Sequence, residues 1–68
     1  MFDWEKIEAA RLDAAETEAK RFLKRMSELR AAKKRDAGTH PRESGALKRA
    51  SMDLTRALAD VRRSPYAE

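Results

Sequence analysis

Cysteine is missing altogether, so neither a disulfide nor a thiolate metal site can brace this chain. There is one histidine, His40, which cannot hold a metal alone. Glycine and proline occur twice each, and Gly38, Pro41 and Gly45 lie close together. Residues 3–37 therefore contain no helix breaker. Ile7 and Val61 are the only β-branched aliphatic residues, and the aromatics are Phe2, Trp4, Phe22 and Tyr66. No apolar run approaches the ~20 residues that a membrane span requires. The start, Phe2-Asp3-Trp4-Glu5, is acidic where a signal peptide is basic. These absences predict a soluble cytoplasmic protein with no leader, no membrane span and little strand.

What remains is charge and alanine. Charged residues make up 41% of the 68, with a net charge of +4. This composition favours helix. A single core is marginal at such a length. With disulfides and metals excluded, oligomerisation or docking on a larger protein is the remaining route to stability.

The first helix is expected over about residues 3–36. Asp3 is suited to the N-cap, because its carboxylate can accept from the unpaired amides of the first turn. Phe2 and Ile7 have the spacing of a hydrophobic staple. Glu5 and Glu8 suit the positive end of the helix dipole, and Lys33, Lys34 and Arg35 the negative end. Gly38 is placed to terminate the helix in a left-handed conformation. Leu12, Ala15, Ala19, Phe22, Met26 and Leu29 recur at alternating spacings of three and four, a heptad seam. Leu23 widens it, and Trp4 and Ile7 extend it. The opposite face offers Glu16–Lys20 and Lys24–Glu28 pairs, at ~0.3–0.5 kcal/mol each.

Residues 37–45 read as the connection. A second helix starts either after His40, with Pro41 at its first position, or after Ser44; about 41–63 is the favoured span. Its seam is Leu47, Ala50, Leu54, Ala57 and Val61, with Leu58 beside it. Arg49–Asp53 and Arg56–Asp60 pairs are expected on its outer face, beside Met52. Pro65 disfavours helix at Ser64, leaving 64–68 as a tail.

The fold class is therefore all-α, an antiparallel helical hairpin in a single domain. It would be completed by dimerisation into a four-helix bundle or by docking on a larger protein. Heptad pairing predicts Leu29 near Leu54, Phe22 near Val61, and Tyr66 over Leu12. Helices of about 50 Å and 30 Å, at 1.5 Å per residue, leave Trp4 and Ile7 beyond the shorter one. The expected partner surface is Trp4, Ile7, Leu12, Phe22, Met26, Leu29, Leu47, Leu54, Leu58 and Val61.

No catalytic constellation is legible. His40 sits in a turn, the carboxylates have basic neighbours one turn away, and no phosphate-binding glycine loop or metal spacing occurs. Paired acids would need a concave, desolvated pocket that a hairpin is not expected to offer. No enzyme, cofactor, metal or small-molecule substrate is expected.

Charge is distributed unevenly. Residues 1–19 carry six acids and two bases, whereas 20–36 carry eight bases and two acids. Arg30, Lys33, Lys34, Arg35, Arg42, Lys48 and Arg49 gather near the turn. They suit an acidic protein surface. The alternative is nucleic acid, bound through phosphates with a steep salt dependence, although no aromatic interleaves the cluster to stack on bases. The leading expectation is a non-enzymatic interaction protein that binds a protein partner or itself through the seam.

Overall fold

A computed structural model describes residues 3–63. The expected Phe2–Ile7 staple and Tyr66–Leu12 contact lie outside these residues. Two helices account for most of them: α1, Trp4–Arg35, and α2, Pro41–Arg62. They pack against each other as a hairpin, and no strand occurs among the described residues.

Local chemistry accounts for the ends. The Asp3 side chain accepts from the Lys6 amide at 3.2 Å, removing one unpaired donor from the first turn. At the other end the glycine mechanism is not used. No glycine has a positive φ. Instead Asp36 turns extended (φ −152°, ψ 120°) while its amide still donates to the Ala32 carbonyl. Its side chain then accepts from the Gly38 amide at 3.1 Å, and an aspartate that folds back on its own backbone turns the chain as glycine would. The Asp36 carbonyl lies 2.7 Å from His40 Nε2; a carbonyl only accepts, so Nε2 carries the proton. His40 stands at the N-cap position of α2 but spends its imidazole on tying the turn. Pro41 occupies the first helical position, where its missing amide costs nothing.

The connection is thus short, residues 36–40, and this sets the register. Arg11 Nη1 donates to the Arg63 carbonyl at 2.6 Å, and Arg21 Nη1 lies 3.3 Å from Asp53 Oδ2. The residue numbers add to 74 in both pairs, so residue 19 lies level with about residue 55. The heptad pairing of Leu29 with Leu54 and Phe22 with Val61 is therefore corrected by about nine residues. That pairing needed a longer turn than the five residues that close this one.

The end of α2 reaches Arg11, so Ile7 lies about one turn past it, as the helix lengths predict, yet is half-buried at the edge of a groove whose lining includes Ala57 and Asp60. Trp4 is also half-buried within the single chain. The ion pairs change too. Glu16–Lys20 forms as expected, but Glu28 takes Arg25, Asp60 takes Arg63, and Asp53 reaches across to Arg21.

The hairpin measures 55 × 18 × 13 Å. Thirteen ångströms is about the diameter of one helix with its side chains, so the molecule is a single layer. Its radius of gyration is 16.0 Å, against about 11 Å expected for a compact chain of this length. Among the described residues, the buried hydrophobic side chains are Ala15, Ala32 and Ala50.

Candidate interaction surfaces

The two sides of this layer differ. Position along each helix, at about 100° per residue, assigns side chains to one side or the other. On one side the groove between the helices is lined by Ile7, Ala10, Ala14 and Ala57, flanked by Arg11, Glu18, Asp53, Arg56 and Asp60. It continues toward the turn past Arg21, Arg25 and Arg49. Salt bridges cross and edge it: Arg21 with Glu18 and Asp53, Arg25 with Glu28. The groove at its open end is a wide, solvent-open space of about 500 Å³. It is an open groove and not a desolvated pocket, and alanines make it, because Ala10, Ala14 and Ala57 leave room that larger side chains would fill.

The other side is apolar. Leu12, Leu23 and Met26 of α1 share it with Leu47, Leu54, Leu58 and Val61 of α2. The reason is a phase offset. The residues of α1 that meet α2 include Arg11, Ala15 and Arg21, whereas the centre of its apolar stripe lies roughly a quarter-turn away. The stripe of α2 is displaced toward the same side. Large side chains are consequently left in solvent: Leu12 is 53% exposed, Leu23 60%, Leu58 37% and Val61 38%.

Of the expected partner residues, Trp4, Ile7, Phe22, Met26, Leu29, Leu47 and Leu54 are half-buried, and Leu12, Leu58 and Val61 are exposed. Trp4 and Ile7 belong to the open end, apart from the leucines. Leu23 is the residue the heptad reading undervalued. Its spacing from Ala19 and from Met26 was the available signal. Met52 is exposed at 61% but faces away from both sides of the hairpin.

The basic residues gather at the turn end as the spacing predicts. Arg35 and Arg42, from different helices, line one recess with Arg25 and two glutamates, Glu28 and Glu43. Lys33 lines another beside Gly38, His40 and Pro41. Arg30, Lys34, Lys48 and Arg49 are exposed. Dividing the hairpin at the level of residues 19 and 55, the turn half, 20–54, holds eleven bases and four acids, net +7. The open half, 3–19 with 55–63, holds five bases and seven acids, net −2. The long axis is therefore also an electrostatic axis.

No described helix is long and apolar enough to cross a membrane, and no group of three or more His, Asp or Glu among the described residues could hold a metal. The chain matches no protein-family model, and searches of curated proteins and of solved structures find no match.

Proposed function

We propose that this chain is a non-enzymatic interaction module that docks a protein surface on its leucine-bearing side and offers its turn end to an acidic surface. One observation carries the reading: a single layer of two helices has both apolar stripes leaning to one side, with four large aliphatic residues more than a third exposed. Domains ordinarily bury such a stripe between two layers. The accessible surface, 5723 Å², also exceeds the about 4,400 Å² expected of a compact 7.8 kDa monomer.

The test uses exposed positions. Leu23→Glu and Leu58→Glu, combined, should change the hairpin's own stability by at most about 1 kcal/mol, since neither side chain is deeply packed within it. In a docked state they would place carboxylates against apolar surface and abolish association. Molar mass by light scattering and helicity by circular dichroism read the two effects separately. If mass and partner binding both stay as in the parent chain, the docking reading is wrong.

A second reading is that the turn end binds RNA or DNA phosphates. It is supported by Arg35 and Arg42 meeting from two helices in one recess. Retardation of a nucleic acid at low salt, lost when Lys33, Lys34 and Arg35 are neutralised, would favour it over an acidic protein.

A further inference from the structure

We infer that the occupant of the leucine-bearing side is a second copy of this chain, laid antiparallel so that α1 packs on α1 and the two turns point to opposite ends. The inference rests on the docking reading above and names its partner.

The pattern along α1 is symmetric about Ala19. In an antiparallel pair centred there, each residue faces the one whose number makes 38. Leu12 then meets Met26 of the other copy, Leu23 falls level with Ala15, which the hairpin already buries, and Ala19 meets itself. Farther out the stripe becomes charged, and the signs are opposite at equal distances from the centre. Glu8 faces Arg30, and Glu5 faces Lys33. All nine positions lie within roughly 40° of the line through Ala19, so they form one stripe. The four charged residues are exposed and form no ion pair among the described residues.

A second, separate pattern gives the same axis. On α2 the apolar stripe is symmetric in spacing about Leu54: Leu47 and Val61 are equidistant from it, as are Ala50, which the hairpin buries, and the exposed Leu58. The hairpin register, set by the Arg11–Arg63 and Arg21–Asp53 contacts, puts residue 19 level with about residue 55. The centres of the two helices thus agree to within a residue. One two-fold axis, perpendicular to the helices, satisfies both, as an isologous interface requires.

Charge selects between the two ways of stacking the hairpins. With turns at the same end, two halves of net +7 would adjoin. With turns opposed, each +7 half lies on a −2 half. Opposite ends of a 55 Å molecule are several Debye lengths apart at physiological salt, so repulsion between the basic ends is screened there. The product is a four-helix bundle with a basic tip at each end.

The chain lacks cysteine, which makes the test clean. In the full chain, Ala19→Cys should cross-link to itself through a short bismaleimide, giving a species of twice the 7.8 kDa chain mass. Glu8→Arg should weaken dimerisation several-fold by sedimentation equilibrium, and adding Arg30→Glu should restore it. Positions 8 and 30 are about 33 Å apart along α1, so rescue can act only between copies. Circular dichroism confirms that each variant keeps its helix.

A chain that stays monomeric at every concentration overturns the proposal. So does a dimer in which Ala19→Cys gives no cross-link, or in which Arg30→Glu worsens Glu8→Arg. If Leu23→Glu with Leu58→Glu still abolishes partner binding in those cases, the docking reading stands and only the second copy falls. If that pair has no effect, the docking reading falls as well.

Discussion

Individual side chains here do work that their positions in the sequence disguise. Asp36 ends α1 by folding its carboxylate onto the Gly38 amide, so the nearby glycine keeps an ordinary φ. His40, read as a cap or a solvated turn residue, ties the two helices at the Asp36 carbonyl. Gly45 is the more informative glycine. It lies inside α2, and a Cβ built on it meets nothing within 4 Å. Glycine in a helix interior costs roughly 0.5–1 kcal/mol relative to alanine, because it loses more backbone freedom on folding. Gly45→Ala should therefore raise stability by about that amount in thermal or urea unfolding. A loss of stability would mean that the small residue is needed there for close approach by another chain.

Each helix reflects local rules, and its ends are where those rules can be tested. The Asp3 side chain caps the start of α1, at an entry that lies beyond the end of α2. Asp3→Ala should cost about 1 kcal/mol, within the usual range for losing such a cap. Hydrogen exchange should show the loss confined to the amides of the first turn; protection lost evenly along α1 would contradict a local role. The ion pairs on the helix faces were less legible. Glu28 has Lys24 one turn before it and Arg25 three residues before it, and takes the arginine at 2.9 Å. Asp53 leaves its own helix for Arg21. A helical wheel ranks neighbours within one helix and says nothing of a competitor on another. These pairs are partly exposed, so each contributes at most about 1 kcal/mol.

For the molecule as a whole the governing features are one-layer thickness and a charge axis. A basic end with Arg35 and Arg42 drawn together should bind any polyanion or acidic protein with strong salt dependence. Neutralising Lys33, Lys34 and Arg35 to Gln should weaken that association and flatten its dependence on salt, as titrations at 50 mM and 200 mM salt would show. An unchanged slope would locate the contact elsewhere. The same substitutions should leave the hairpin folded, since none of the three side chains is buried.

The residues alone were enough for the class of fold and for both helices to within a residue or two at each end, whereas the connection expected over 37–45 is shorter, 36–40. The class and the helices follow from composition, caps, breakers and a heptad period, all of which act within a few residues of each other. The pairing of the helices was not legible in the same way. Matching leucine with leucine placed Leu29 on Leu54, but the chain turns in five residues, and connectivity outranks a hydrophobic match that a short turn cannot reach. That register draws Ile7 into a groove and brings Arg21 to Asp53. It also leaves Leu12, Leu23, Leu58 and Val61 on one uncovered side. A helix has an apolar stripe by virtue of its own sequence. Whether that stripe faces its neighbour or the solvent depends on how two helices are phased, a relation between distant segments that no single stretch of the chain contains.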